Sequence, residues 1–213
     1  MFEISNNLEI DIQILDKSNF YIIDNFYKDP DEVVKYFLQF IPPLWKEHET
    51  PSYNGIYFED RRHEILHEDI QPVFQFLQNI CKQQPLNNNQ LTTNATKFIN
   101  CEFNQYETNY WWPHYDAGYT GILYLNFSDY SCGTNIYEFL GDPNEPSKGP
   151  EHYDPWKSRE RYKLVKTLEP RYNRLVFFNA KKFLHGANIC DDRYFFDEYR
   201  FNQVFFFSEN NYV

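Results

Sequence analysis

The hydrophobic residues of the first 81 positions recur at two different spacings. Residues 20–24 form a short apolar run that predicts a strand. Apolar residues then repeat at helical spacing over residues 29–41 and from about residue 64 to residue 81. The first of these segments opens with Asp29-Pro30, a cap residue followed by a proline, which is typical of a helix N-terminus. This part of the chain therefore predicts one strand and two amphipathic helices.

Polar residues 83–95 predict a loop and an internal boundary. The boundary divides residues 1–95, a strand and helix extension, from residues 96–213, the core on which the extension packs. Short strands separated by turns are predicted beyond the boundary, over residues 97–106, 111–116, 121–126, 135–139, 162–168, 174–178 and 200–207. Strands without intervening helices predict a mainly β, α+β protein with an antiparallel sandwich or barrel of the jelly-roll type.

The last predicted strand, residues 200–207, is apolar at both odd and even positions. A strand of this kind is buried on both faces. We therefore expect the two N-terminal helices to cover one outer face of the sheet that contains it. The long connection over residues 141–161 is a candidate lid, because loops of this length in compact domains are usually functional or disordered.

The composition supports the β assignment and limits the classes of partner. The chain has 18 Tyr, 21 Phe and 4 Trp, residue types that favour half-buried pleated surfaces. Its formal net charge of −11 argues against binding to nucleic acid or to an anionic membrane surface. No apolar run reaches the roughly 20 residues that span a bilayer, and the first residues lack the signal-peptide pattern. Four cysteines without a CxxC pattern suit reduced thiols, so we expect a cytoplasmic protein.

His114 and Asp116 lie two residues apart in an aromatic segment that is predicted to be extended. Side chains two apart on a strand point to the same face. One histidine and one carboxylate are two of the three ligands of a 2-His-1-carboxylate iron site. The spacing alone also arises by chance, so this interpretation requires a third ligand.

His185 is the candidate third ligand. It follows a predicted strand and a tight polar turn, and this turn brings the chain back to the open end of the predicted sheet. An isolated histidine in this position is more simply a core or turn residue that is satisfied by hydrogen bonds. Together with His114 and Asp116, however, it completes the ligand set of an iron site.

Arg200 leads the apolar final strand, where a guanidinium requires an anionic partner. Its planar donors suit a carboxylate that is held by two hydrogen bonds. Two alternatives remain open. Arg200 could be a rim residue paired with Asp197 or Glu198, and Arg193 is a rival anion anchor in the preceding loop.

Residues 98–207 resemble an Fe(II)/2-oxoglutarate-dependent oxygenase, and within that superfamily they are most similar to the prolyl-hydroxylase-like branch. The segments that carry the resemblance are Asn104-Gln105-Tyr106-Glu107, His114-Tyr115-Asp116, residues 122–126, Cys132-Gly133-Thr134, residues 169–178, His185-Gly186 and Arg200. Two features depart from the family pattern. Cys132-Gly133-Thr134 stands where the family often has Gly-Gly-x-Thr, and the interval from His185 to Arg200 is longer than usual.

The resemblance implies a double-stranded β-helix core and an oxygenase that uses Fe(II), 2-oxoglutarate and dioxygen. The residues that it assigns to the iron are His114, Asp116 and His185, and those that it assigns to 2-oxoglutarate are Arg200, Tyr106 and Tyr124. Core packing explains the two tyrosines equally well. The expected substrate is a protein or peptide side chain of the prolyl type, or a small molecule.

Two other classes of function fit the same pattern of strands. One is a non-catalytic jelly-roll module that binds a partner through an acidic, aromatic surface. The other is a cupin-type iron enzyme that uses no 2-oxo acid, in which Arg200 would have no role. Trp111 and Trp112, next to the candidate ligands, could line a substrate channel or simply belong to the core.

Overall fold

The computed structural model describes residues 1–39, 46–47, 58–65, 67–81, 87–98, 101–127, 132–142, 155–190, 192–196 and 198–208. The described chain is mainly β, with two α-helices, α1 (Pro30–Leu38) and α2 (His67–Cys81). Its strands are β1 Glu9–Leu15, β2 Ser18–Asp24, β3 Lys46–Glu47, β4 Phe58–Glu64, β5 Asn87–Phe98, β6 Asn109–Trp111, β7 Gly118–Tyr124, β8 Gly133–Phe139, β9 Trp156–Ser158, β10 Tyr162–Leu168, β11 Arg174–Asn179, β12 Leu184–Asn188 and β13 Arg200–Ser208.

Both predicted helices are present. The side chain of Asp29 accepts a hydrogen bond from the backbone N–H of Glu32 at 3.3 Å, so the predicted cap of α1 is confirmed. Pro72 lies inside α2. The buried face of α1 consists of Val33, Val34 and Phe37, and that of α2 includes Ile70, Val73, Phe74 and Leu77.

The strands form antiparallel sheets. The large sheet has the strand order β1-β2-β11-β7-β13-β5-β4-β3, the small sheet has the order β10-β8-β12, and β6 pairs with β9. The two helices pack on one face of the large sheet, as predicted. The sheet residues in this helix-side core include Leu91, Leu123, Leu175, Phe177, Phe201, Phe205 and Phe207.

The small sheet covers the opposite face of the large sheet. Ile122 of β7 and Val176 of β11 point away from the helices and pack with Ile136 and Leu168 of the small sheet. On β13, Phe205 belongs to the helix side, whereas Val204 points to the small-sheet side, and both are buried. The prediction that the last strand is buried on both faces is therefore confirmed. We call the space between the two sheets the inner side.

The sequence-based assignment was wrong in the middle of the chain. The loop expected over residues 83–95 is largely strand β5, which pairs with both β4 and β13 and runs through the proposed internal boundary. The strand expected over residues 97–106 ends at Phe98, and Phe103–Glu107 is a 3-10 helix. Pairing with two neighbours outweighs the low strand propensity of the asparagine-rich segment.

Residues 143–154, the greater part of the proposed lid, lie outside the described residues. The described end of that connection contains β9, which pairs with β6 next to the candidate ligands. Among the helices that the structure describes, none has the length and apolar character needed to cross a membrane.

Candidate metal centre

The segment that carries His114 is held by backbone contacts on both sides. Trp112 has a positive φ of 48°, and its N–H donates to the carbonyl of Pro155 at 2.7 Å. The strand expected over residues 111–116 is therefore wrong: β6 ends at Trp111, and Pro113 has no N–H to continue a ladder. His114 instead forms an isolated antiparallel bridge with His185, with N···O distances of 2.8 and 2.9 Å.

Gly186 permits the close approach of these two chain segments. A Cβ atom at this position would lie 2.5 Å from the carbonyl oxygen of Trp111 and 3.0 Å from that of Trp112. Since backbone atoms at these distances cannot give way as a flexible side chain does, any larger residue would push β12 away from His114. The backbone of Asp116 is fixed separately, because its N–H donates to the carbonyl of Ala180 at 3.1 Å.

The three predicted ligands converge. Nε2 of His114 lies 3.6 Å from Oδ1 of Asp116, and Nε2 of His185 lies 3.4 Å from Oδ2 of the same carboxylate. The candidate ligand atoms all lie within 4.8 Å of one another. The side chain of His185 is only 4% exposed, whereas that of His114 is 33% exposed. A ligand can therefore reach these three side chains from the side on which His114 lies.

Each imidazole is oriented by a backbone carbonyl. Nδ1 of His114 lies 2.7 Å from the carbonyl oxygen of Trp112, and Nδ1 of His185 lies 3.2 Å from that of Phe183. A carbonyl can only accept, so the proton of each neutral ring belongs on Nδ1. Both Nε2 lone pairs are then directed to the side where the Asp116 carboxylate lies, as in metal sites whose histidines are oriented through their other nitrogen.

The carboxylate of Asp116 is held in its ionised form. Burial opposes ionisation, but when the imidazoles are protonated, the hydrogen bond and charge of His185, the charge of His114 and the hydroxyl of Thr120 lower the pKa of Asp116 to about 2. The Thr120 hydroxyl donates to Oδ2 at 2.5 Å. Two neutral imidazole nitrogens and one carboxylate form the ligand set of non-haem Fe(II) sites, so the residues present fit that ion.

Tyr124 and Arg200 lie near one another on the inner side. The Tyr124 hydroxyl is 2.8 Å from the hydroxyl of Thr134. Burial raises the pKa of Tyr124 to about 12, although the bond with Thr134 and the positive charge of Arg200 favour its ionised form. Nε of Arg200 donates to the carbonyl of Cys132 at 3.3 Å. These groups form a polar cluster with a guanidinium at one end.

The two alternatives for Arg200 can be compared with its surroundings. Nη1 of Arg193 lies 3.9 Å from Oε2 of Glu198, so the rival arginine is paired with the carboxylate proposed as the rim partner. In the part of the chain that the structure describes, no carboxylate forms a salt bridge with Arg200. Asp197 lies outside the described residues.

Tyr106 is bound to two asparagines of the small sheet. Its hydroxyl donates to Oδ1 of Asn188 at 3.1 Å and accepts from Asn135 at 2.9 Å. Asn135 and Asn188 lie on the opposite face of the small sheet from His185, because side chains alternate along β8 and β12. The prediction that Tyr106 serves the same co-substrate as Arg200 stays a prediction, and the contacts that the structure gives its hydroxyl include those with Asn188 and Asn135. Trp111 is buried against Phe98 and Trp156 and belongs to the core.

Sequence reasoning missed Thr120 and gave no role to Thr134. Thr120 follows Asp116 by four residues, and nothing in its sequence context distinguishes it from other threonines. Its role follows from strand β7, which turns it to the inner side beside Asp116. Thr134 lies in the Cys-Gly-Thr segment that carries part of the resemblance, which is the only sequence feature that points to it.

Comparisons with known proteins give a distant likeness in structure and none in sequence. No protein-family model and no curated protein matches the sequence. Among solved structures, the fold is similar to that of a selenomethionine-labelled Fe(II)/α-ketoglutarate-dependent dioxygenase, TqaL. The TM-score is 0.40 at 10% sequence identity, and the match covers 77% of this chain and 70% of that chain.

Proposed function

We propose that the chain is an Fe(II)- and 2-oxoglutarate-dependent oxygenase. The observation that carries the proposal is the convergence of His114, Asp116 and His185. Both histidines direct Nε2 toward one ionised carboxylate, while their Nδ1 atoms are engaged by backbone carbonyls. Such orientation is expected of ligands that bind a metal and is not needed for histidines that only fill a core.

The strand order supports a double-stranded β-helix as the core of this enzyme. The large sheet contains the run β5-β13-β7-β11, and the small sheet continues from β12 to the bridge at His114. From β7 onward the chain passes from the large sheet to the small sheet and back twice. This alternation places the ends of successive strands around one inner space, where the three ligands lie.

Arg200, Tyr124 and Thr134 are the proposed site for the distal carboxylate of 2-oxoglutarate. The guanidinium and the one free proton of the bonded hydroxyl pair supply hydrogen-bond donors to a carboxylate, and a charge-assisted bond to Arg200 would be the strongest of these. No salt bridge to Arg200 is formed by the described carboxylates. A bound dicarboxylate would supply the missing anion.

The bound iron would supply the oxidising chemistry, in which 2-oxoglutarate, dioxygen and a substrate C–H become succinate, carbon dioxide and C–OH. The protein's own residues hold and orient the reactants. His114, Asp116 and His185 fix the position of the metal, Thr120 orients Asp116, and Arg200 fixes the far end of the co-substrate. The buried side at His185 excludes water, and the more exposed side at His114 admits the substrate.

The substrate belongs to the proposal as well. A protein or peptide side chain of the prolyl type, or a small molecule, is the class that the resemblance favours. The net charge of −11 favours a neutral or basic substrate over a polyanion. We keep a cytoplasmic location as part of the same proposal.

The direct test is the production of succinate from 2-oxoglutarate by the Fe(II)-loaded protein. We expect succinate from the wild-type protein and none above background from His114→Ala or Asp116→Asn, because each variant removes a metal ligand. Asp11→Asn is the matched control, since this exposed carboxylate lies on the edge strand β1 and should leave the rate unchanged.

Two results would redirect the proposal. A wild-type protein that retains no metal and forms no succinate is a binding module with the fold of an enzyme. A protein that retains Fe(II) through the three ligands but neither binds nor consumes 2-oxoglutarate is a cupin-type iron enzyme.

A further inference from the structure

The inner side of the large sheet carries an unusual group of polar residues on β5 and β13. Asn94 and Asn202 are direct cross-strand partners, and Thr92 faces Val204 at the next inner position. We call Thr92, Asn94 and Asn202 the polar wall. Thr92 is 2% exposed and Asn202 is 3% exposed, so both are buried as deeply as the aromatic core.

Each residue of the polar wall has one buried oxygen that forms no hydrogen bond with a described residue. Oγ1 of Thr92, Oδ1 of Asn94 and Oδ1 of Asn202 are buried and have no partner among the described residues. A buried polar atom without a partner destabilises the folded protein relative to a satisfied one. Buried polar atoms without partners are uncommon in native proteins, and three neighbouring ones on a single surface require a reason.

Buried polar residues on the other face of the same two strands do have hydrogen-bond partners. Thr93 and Gln203 point to the helix side, where both are fully buried. Nε2 of Gln203 donates to the hydroxyl of Thr93 at 3.2 Å, and the hydroxyl of Tyr27 donates to Oε1 of Gln203 at 2.9 Å. These polar residues on the helix side are thus bonded to one another, whereas the three oxygens of the polar wall are not bonded to any described residue.

The strand pairing gives the position of the polar wall relative to the candidate metal ligands. Thr120, which donates to Asp116, is the cross-strand partner of Phe206 on β13, and Phe206 is in turn the cross-strand partner of Gln90 on β5. These three residues form one row across the sheet, and this row marks the level of the metal ligands. Thr92 is two residues beyond this level and Asn202 is four, or about 7 and 13 Å along the strands at roughly 3.3 Å per residue. The wall therefore extends from the level of the metal ligands toward Arg200.

We propose that the polar wall is a substrate-recognition subsite for an uncharged group that donates hydrogen bonds, namely a carboxamide or a hydroxyl. Oδ1 of Asn94 and Oδ1 of Asn202 only accept, so a ligand carboxylate, which also only accepts, does not satisfy them, whereas the Thr92 hydroxyl both donates and accepts. None of the three residues is charged, which disfavours a charged ligand group. A carboxamide both donates and accepts and therefore suits asparagine and threonine side chains. This inference rests on the proposed function, because it concerns the substrate of the same inner space.

The first test measures thermal unfolding without any ligand. Thr92→Val and Thr93→Val make the same chemical change at adjacent positions of β5. We expect Thr92→Val to raise Tm by about 2 °C or more, because it removes an unsatisfied hydroxyl, and Thr93→Val to lower Tm by a similar amount. If both variants lower Tm equally, the Thr92 hydroxyl has a partner in the folded protein and the proposal is overturned.

The second test measures binding to the protein loaded with Mn(II) and 2-oxoglutarate. The probes are N-acetyl amino acid amides and the matching methyl esters, which differ in the N–H donors, and binding is followed by ligand-observed NMR. We expect an amide to bind at least about tenfold tighter than its ester. The Thr92→Val/Asn202→Leu double variant should bind the amide and the ester about equally tightly, whereas Thr93→Val should retain the preference for the amide.

The outcomes separate this inference from the function on which it rests. Failure of the wild-type protein to bind Mn(II) and 2-oxoglutarate contradicts the proposed function, and the thermal comparison of Thr92→Val with Thr93→Val still decides whether the wall is unsatisfied. Retention of both ligands with no preference for amides over esters, or with no amide bound at all, overturns the subsite alone.

Discussion

Arg174 and Arg200 each begin a strand of the large sheet, and both charges favour ionisation of Tyr124. Their partners differ. Arg174 binds Asp24 through two hydrogen bonds, from Nε at 2.6 Å and from Nη2 at 2.8 Å. Arg200 donates from Nε to a backbone carbonyl at 3.3 Å and forms no salt bridge with the described carboxylates.

We propose from this difference that Arg174 serves the structure of the sheet and that Arg200 serves ligand binding. The bond between Arg174 and Asp24 joins β11 to β2, and Arg171 adds a second cation to the same carboxylate. Arg174 therefore has its anion within the protein. Arg200 has no salt bridge to a described carboxylate, and we propose that a dicarboxylate co-substrate provides its anion.

The largest expected effect is on stability at Arg174. Arg174→Ala should lower the free energy of unfolding by about 2–4 kcal/mol, because it leaves the largely buried Asp24 carboxylate without its bidentate partner. Arg200→Ala should change it by less than about 1 kcal/mol. Urea denaturation of the two variants measures the difference, and equal losses would show that both arginines are structural.

The contribution of Asp24 should depend on pH. Burial opposes its ionisation, but the hydrogen bonds and charges of Arg174 and Arg171 hold the pKa of Asp24 below its usual value. A carboxyl group whose pKa is lower in the folded state stabilises the protein above the unfolded pKa of about 3.9 and loses this contribution as the pH falls through the folded value. The difference in unfolding free energy between wild type and Arg174→Ala should therefore be constant from pH 5 to 7 and shrink below about pH 4. A difference that grows in acid would contradict this assignment.

At the second arginine, the expected effect is on co-substrate binding. Arg200→Ala should weaken 2-oxoglutarate binding to the Mn(II)-loaded protein by at least about 100-fold, because charge-assisted bonds to the distal carboxylate are lost. Arg174→Ala should change this affinity by less than about threefold. Isothermal titration calorimetry provides both values, and a larger loss at Arg174 would reverse the assigned roles.

The sequence located the catalytic candidates better than it located the strands. His114, Asp116, His185 and Arg200 could be selected because ionisable side chains stand out among aromatic neighbours. They also follow one another in the same order as in the family that the sequence resembles. The convergence of His114, Asp116 and His185 depends on features that no local pattern contains. The positive φ of Trp112 and the bridge between His114 and His185 arise from tertiary contacts.

Strand β5 was the main error, and its cause is informative. Leu91, Thr93 and Ala95 alternate toward the helix side, but Thr92 and Asn94 occupy the intervening inner positions. This asparagine-rich segment reads as a loop because its inner residues are not those that a packed core selects. Such a conflict between local pattern and fold is expected where residues serve a ligand.

The smallest expected effect separates geometry from charge at the proposed anchor. Arg200→Lys keeps the positive charge but loses the planar pair of donors, so 2-oxoglutarate affinity should fall by about tenfold. Arg193→Ala is the control, because its partner Glu198 is largely exposed, and it should change the affinity by less than about twofold. A strong effect at Arg193 with none at Arg200 would move the anchor to the loop.

The most direct test of the central claim is a crystal structure of the protein with Mn(II) and 2-oxoglutarate. We expect Mn(II) bound by Nε2 of His114, a carboxylate oxygen of Asp116 and Nε2 of His185, with the distal carboxylate of 2-oxoglutarate on the guanidinium of Arg200. A metal bound elsewhere, or a co-substrate carboxylate held by another cation while Arg200 keeps only its bond to Cys132, would contradict the account.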